Sequence, residues 1–288
     1  MRNIRLSFAG ALLALPLAAF AWGAQGHRIT GLVAEGLLTA DARTGLVALM
    51  GKVDLAAASV LLDQQKEQFE KTMPGSRRWH YDDKPVCEPA AKPASYCSNG
   101  NCASAQIKAQ YLRLVNEHAT KAEKAFAVNA LVHLVGDIHQ PLHASDHDDA
   151  GGNGIAVAFT LPGSSAPRRN NLHSAWDSDF VRAALKSSDE RKIARELLQA
   201  LSSEQRKAWQ RGSAPTWMAE SYKLSRRLSY GGLPGFNLAD NNCPSEDDGE
   251  EPVTLSKAYV DEAIDTVPQL LTQAGVRIAL LLNRAFAK

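Results

Sequence analysis

The chain has almost no excess of charge: 32 Lys and Arg stand against 31 Asp and Glu, a formal net charge of +1 over 288 residues. A protein that grips polyanions over its whole surface carries a basic excess. That mode of nucleic-acid binding is excluded, and any affinity for phosphate has to be local. Also lacking is an apolar run of the roughly 20 residues that span a bilayer, so no membrane anchor is expected. The run Leu6 to Leu17 is too short, follows Arg2 and Arg5, and precedes Ala19-Phe20-Ala21. It reads as an export signal, with residues 1–21 removed and residues 22–288 forming one domain. The leader holds two of the basic residues and none of the acidic ones, so the remainder stays within one charge of neutral.

There is no Asn-x-Ser/Thr sequon and no Cys-x-x-Cys pair. The first absence argues against N-glycosylation and the second against a cysteine zinc site. In an exported chain, Cys87, Cys97, Cys102 and Cys243 are then two disulfides, with three possible pairings. Cys97 and Cys102 enclose the turn-forming Ser98-Asn-Gly-Asn101, so they are expected to pair, leaving Cys87 with Cys243.

Strand patterns are scarce. Ile29, Leu32, Val33 and Leu37 repeat at helical spacing, as do Ile107, Tyr111, Leu112 and Val115 behind Ser104 as a candidate N-cap. Residues 120–139, 189–211, 215–229 and 256–286 also read as helices, the last broken near Gly275. Only Ile155 to Leu161, behind Gly151-Gly152, has a strand signal. The fold class is all-α, a single mostly helical domain with at most a small β-hairpin. The acidic run Glu246 to Glu251 reads as a solvated loop.

What is abundant is histidine beside aspartate. His133-Leu-Val-Gly-Asp137-Ile-His139-Gln-Pro-Leu-His143 places three imidazoles and one carboxylate in eleven residues. His133 and Asp137, four apart, share one helix face and can converge on one ion. His139 lies round the helix from both. Pro141 removes the hydrogen bond that the Asp137 carbonyl would accept and so redirects His143. Asn171-Leu-His173-Ser-Ala-Trp176-Asp177 repeats the His/Asp spacing. One such pair is more often a salt bridge than a metal site; two with a spare His143 favour metal. Upstream candidates are Asp63, His80 in Trp79-His80-Tyr81, and Trp22 with His27. Leader removal would give Trp22 a free amine five residues before His27.

With these motifs, together with Gly151-Gly152-Asn153, Trp217-Met-Ala-Glu220-Ser221 and Ala274-Gly-Val-Arg277 to Asn283, the sequence resembles the type I (S1/P1) family of zinc-dependent single-strand nucleases. The resemblance covers nearly the whole chain after the leader. It implies a mostly helical fold with three Zn²⁺: one held by Asp63, His80, His133 and Asp137, a second by His143, His173 and Asp177. The third would take the Trp22 amine and carbonyl, His27 and the other oxygen of Asp137. His118, His139 and His147 are left as non-ligands, His139 as a candidate support behind the ligands. Asp63 and Asp137 join Lys66, three residues after Asp63, as the catalytic candidates. Lys66 would meet the scissile phosphate, Tyr81 and Asp83 would hold a nucleobase by stacking and by accepting its N–H groups, and Asn153 would donate to phosphate.

Two departures stand out: Leu61 replaces a tryptophan common in the family, and Tyr81 a phenylalanine. The implied activity is hydrolysis of single-stranded DNA and RNA to 5′-phosphorylated products, with 3′-nucleotidase activity, in the periplasm or the medium. Substrates would be nucleic acid and nucleotides, with no protein partner implied and a monomer as default. The alternatives are a zinc phospholipase C, whose family has glutamate at the position of Asp177, and a non-catalytic zinc-binding envelope protein.

Overall fold

A computed structural model describes residues 22–87, 96–238, 243 and 251–287. Residues 1–21, expected to be a leader, and the acidic run up to residue 250 lie outside the described residues.

The architecture is mostly helical, as expected. The longer helices are α1 (Gly23–Gly36), α2 (Ala40–Met50), α3 (Lys66–Thr72), α4 (Ala103–Val115), α5 (Lys121–Asp137), α6 (Phe180–Leu185), α7 (Glu190–Ala200), α8 (Ser203–Trp209), α9 (Ala214–Leu224) and α10 (Lys257–Ala285). Helix α5 is the axis of the fold. A capping box of Thr120 and Glu123 starts it, and from Ala130 to Asp137 every side chain is buried. A helix apolar on all sides has to be surrounded. Helices α1, α2, α4 and α10 pack against it.

Two buried apolar clusters flank this axis. One gathers Trp22, Trp176, Phe180, Tyr259 and Leu271; the other gathers Trp79, Leu131, Leu134, Ile138, Trp217 and Ile278. Helix α10 runs unbroken through Gly275, against the sequence expectation. A Cβ at Gly275 would lie 2.5 Å from Val33 Cγ1 and 3.0 Å from the Thr30 carbonyl of α1. The glycine therefore serves close approach of α1 and α10 rather than a kink.

Other boundaries differ for local reasons. The stretch 189–211 is split because Leu201 is extended and Ser202 opens α8 with its own capping box to Gln205. Helix α9 continues as a π-helical turn, Ser225–Ser229. Ser104 does not cap α4; its N–H and hydroxyl donate to the buried carboxylate of Asp82 at 3.0 and 2.7 Å. The expected strand is β3 (Ala156–Phe159), antiparallel to β4 (Arg168–Asn171), with β5 (Val253–Thr254) added in parallel on its other side. A two-residue parallel pair, β1 (Lys84–Pro85) with β2 (Ser145–Asp146), ties the segment after Tyr81 to the segment after His143. Cys87 is bonded to Cys243 and Cys97 to Cys102.

Gly275→Ala is expected to destabilise the protein by about 1–3 kcal/mol from overpacking. That outweighs the gain in helix propensity of about 1 kcal/mol. Urea unfolding of Gly275→Ala and of Val33→Ala/Gly275→Ala checks it; the second variant recovers part of the loss if Val33 is the clash.

Candidate metal centre

The centre is built on the last turn of α5. His133 and Asp137 share one face, with His133 Nε2 and Asp137 Oδ2 3.1 Å apart. The helix ends at Asp137, with Ile138 as its C-cap. Pro141 has no N–H to offer the Asp137 carbonyl, which accepts instead from Gln140 N–H at 2.9 Å. The tighter turn Pro141–His143 then swings His143 back towards the 3₁₀ turn Ser76–His80.

Around Asp137 three imidazoles converge. His80 Nδ1 lies 3.1 Å from Asp137 Oδ2 and 2.9 Å from His133 Nε2. On the other side of the carboxylate, His27 Nε2 is 3.2 Å from Oδ1 without hydrogen-bond alignment. The His27 ring stacks on that of His133 with centroids 4.2 Å apart. It fits there because residue 136 is glycine: a Cβ would stand 2.9 Å from His27 Nδ1. Asp63, on the short turn Leu61–Gln64, closes the group at 3.7 Å from His80 Nδ1 and 3.6 Å from His133 Nε2.

A second group lies beside the first. His143 Nε2 and His173 Nε2 are 3.2 Å apart, and His173 Nε2 is 3.3 Å from Asp177 Oδ2. His173 and Asp177 keep their four-residue spacing although the chain passes from a helical turn into a π-helical one, Ala175–Asp179; such turns recur at functional sites. Asp177 Oδ1 accepts from Gln140 Nε2 at 2.8 Å and from the backbone N–H of Trp22 at 3.3 Å. Trp22 is fully buried, with its indole N–H on the Gly136 carbonyl. Its nitrogen thus meets Asp177 rather than Asp137, and its carbonyl accepts from Gly26.

The chemistry of these donors fits divalent metal ions. A carbonyl oxygen only accepts, so an imidazole nitrogen bonded to one carries the proton. Ser59 O fixes His133 Nδ1–H at 2.6 Å, His80 O fixes His143 Nδ1–H at 2.7 Å, and Gly151 O fixes His173 Nδ1–H at 2.7 Å. Each Nε2 lone pair is left pointing inward, as in metal-ligating histidines. Burial pushes His143 down to about 3, so it takes up no proton to relieve the lone pair facing it across 3.2 Å. Asp137 Oδ1, Asp177 Oδ2 and both nitrogens of His27 are buried without a hydrogen-bond partner. Each such atom costs about 1–3 kcal/mol if nothing compensates it. Burial opposes charge on His133, yet Asp137 and Asp63 outweigh it and raise the imidazole to about 9. Metal ions would take the place of that proton and satisfy the orphaned atoms.

His139 stands outside the centre. Its Nδ1–H donates to Val135 O at 2.6 Å and its Nε2 accepts from Arg277 at 2.8 Å, so neither nitrogen supports a ligand. His118 is distant in an exposed loop, and His147 lies beside the Cys87–Cys243 bridge.

The centre opens on a cleft of about 250 Å³. His80, His143 and His173 form its floor, and Asp63, Lys66, Tyr81, Asp83 and Asn153 line its walls. All the expected substrate residues are therefore brought together. Lys66 and Asp63 reach the cleft from two different turns, since Gln65 interrupts the helix between them. Asn153 Nδ2 donates to Ala150 O at 2.8 Å. Sequence reasoning missed Arg77, which lines the cleft and pairs with Glu67, and Gln140, which orients Asp177. Arg77-Arg78 before Trp79-His80 was the available signal for the first. Asp83 has a left-handed backbone (φ 49°). Its burial and the carboxylate of Asp146 push it up to about 7, with Asp82 and Asp149 acting in the same sense and Arg78 opposing.

The model of the S1/P1 nuclease family matches residues 22–287. Among curated relatives, nuclease S1 of Aspergillus oryzae is 26% identical over 301 residues, covering 96% of this chain and 96% of its own. Endonuclease 2 of Arabidopsis thaliana is 28% identical over 290 residues, covering 92% and 90%. Nuclease P1 of Penicillium citrinum is 25% identical over 285 residues, covering 91% and 97%.

A carboxyl raised in the folded state loses stability as pH climbs from its unfolded value near 4 to its folded value, and no further. Asp83→Asn removes that cost. In the metal-free protein the variant is expected to be the more stable by about 1–2 kcal/mol at neutral pH after allowance for solvent screening. The advantage should grow from pH 4 to about 7 and then level off. Thermal unfolding of both proteins across that range checks it.

Proposed function

Since the chain belongs to the S1/P1 nuclease family and is a metal-dependent phosphodiesterase acting on nucleic acid, we propose that it is a three-zinc endonuclease of single-stranded DNA and RNA. Its products carry 5′-phosphates, and 3′-nucleotides are hydrolysed as well. The observation that carries this reading is the convergence of His27, His80, His133, His143 and His173 with Asp63, Asp137 and Asp177, leaving orphaned acceptor atoms beneath a solvent-open cleft. A purely structural metal site is closed, whereas His80, His143 and His173 border this cleft.

The two groups of ligands divide the ions. Asp63, His80, His133 and Asp137 would hold one, and His143, His173 and Asp177 a second. His27 and Asp137 would hold the third with the backbone of Trp22, whose nitrogen would become an amine once residues 1–21 are removed. Zinc bound there supplies positive charge for phosphate and lowers the pKa of water to about 7, which gives a nucleophile near neutral pH.

The chain's own groups do the rest. Lys66 compensates charge gathering on the phosphate. Tyr81 stacks a base, and Asp83 accepts hydrogen bonds from the base edge. A base held this way has left its stack, so duplex is the poor substrate. Asn153 donates to a phosphate oxygen, and Gln140 keeps Asp177 turned towards the imidazoles. Export agrees with the two disulfides and with the absence, among the described residues, of a helix long and apolar enough to cross a membrane.

Hydrolysis of a single-stranded oligonucleotide by the protein starting at Trp22 tests the proposal. Cleavage to 5′-phosphorylated products, lost on chelation and restored by Zn²⁺, is expected; equal cleavage of duplex, or chelator-resistant cleavage, overturns it. Lys66→Ala is expected to lower kcat by about 10²-fold with the metal content unchanged. Asp137→Asn is expected to lose metal as well as activity, read by elemental analysis.

A further inference from the structure

Among the described residues, one cluster of metal-binding atoms lies outside the catalytic centre. Sγ of Cys87, Sγ of Cys243 and a ring nitrogen of His147 all fall within 4.8 Å of one another. The sulfurs are joined as a disulfide with Cα atoms 6.1 Å apart, and His147 Nδ1 lies 3.3 Å from Cys87 Sγ. A disulfide has no need of an imidazole at that place. A tetrahedral zinc ion does: Zn–S of about 2.3 Å and Zn–N of about 2.0 Å put the two ligand atoms about 3.5 Å apart.

The pair Cys87 and His147 is set by the backbone rather than by the disulfide. Strands β1 and β2 run in parallel with Lys84 opposite Ser145 and Pro85 opposite Asp146, and Val86 N–H continues the ladder to Asp146 O at 2.8 Å. Cys87 and His147 come next on the two strands. Arg226 donates to the Val86 carbonyl, and Phe236 packs edge-on against the His147 ring with centroids 5.4 Å apart. Two of three ligands thus stay in place if the sulfur–sulfur bond opens, and only Cys243 has to be retained.

We propose that Cys87, Cys243 and His147 form a redox-gated zinc site, separate from the catalytic centre, that replaces the disulfide cross-link when the protein is reduced. The chemistry balances with a phosphine as reductant. The phosphine is oxidised to its oxide with oxygen from water, and the disulfide takes two electrons and two protons to become two thiols. Zn²⁺ then displaces both thiol protons, and His147 Nδ1 adds its lone pair; water completes the tetrahedron.

The test uses the full folded protein and cobalt as probe. Because the catalytic centre has no sulfur ligand, a thiolate-to-cobalt charge-transfer band in the near ultraviolet reports a cysteine site apart from that centre. The oxidised protein should show none. After reduction with the phosphine, the band appears at one equivalent, and zinc quenches it while adding one equivalent to the zinc content. His147→Ala, and His147→Gln should the first fold poorly by circular dichroism, lose the band and the extra equivalent but keep oxidised oligonucleotide cleavage. A Cys97→Ser/Cys102→Ser variant retains the band. Three results overturn the proposal: no band after reduction, including by unfolding of the reduced chain; a band that survives loss of the His147 imidazole; or a band that disappears with Cys97 and Cys102.

Discussion

The rest of the structure depends on where three imidazole protons are held. Ser59, His80 and Gly151 each offer a backbone carbonyl to the Nδ1–H of His133, His143 and His173. That choice fixes the tautomer and aims each Nε2 inward. The carbonyls belong to three separate segments of the chain, so the centre's geometry is a consequence of how those segments pack around it. In an apolar interior such a gathering of acceptors is unfavourable alone. The scaffold therefore has to be rigid enough to hold it open.

Rigidity comes from close packing around one buried helix. Helix α5 carries His133 and Asp137, and the residue between them in depth, Gly136, leaves room for the His27 ring from α1. Helix α1 is in turn pressed onto α10 at Gly275. A shift of α1 by a methyl group's width would move His27 relative to Asp137 Oδ1, so core packing and site geometry are one constraint. Arg277 of α10 extends the constraint to the far side of α5. It is buried, bonded to His139 Nε2 and to Glu220, and so braces the helix end just beyond Asp137.

These relations explain what could be read from the sequence. Side-chain spacing was legible: His133 and Asp137 on one helix turn, the redirected His143 after Pro141, and the second pair His173 and Asp177. The mostly helical class followed from periodicity. What stayed hidden is carried by the backbone, which has no residue signature. The carbonyls of Ser59 and Gly151, the β1–β2 pairing and the capping of α4 by Asp82 rather than Ser104 all depend on tertiary contacts. Gly275 was misread as a break because a glycine in a helix says only that something is close, or that something bends. His139 was set apart from the ligands by its place round the helix, and its proton on Val135 O and its lone pair on Arg277 agree with that reading.

The near-neutral charge of the chain and the geometry of the cleft belong to one solution. The chain as a whole is near neutral, and at the cleft the points of positive charge are Lys66 and Arg77 at the rim and the ions that the buried donors would hold beneath it. Arg77 is partly neutralised by Glu67, so the rim adds little long-range field. Binding built this way involves few phosphates, and its salt dependence scales with their number. If Tyr81 and Asp83 hold the substrate as proposed, long polyanions gain little from length and selection falls to what fits the cleft beside these two residues. On the proposed reading, that is one unstacked nucleotide. On that reading the nuclease discriminates by access, because a paired base would not reach the cleft.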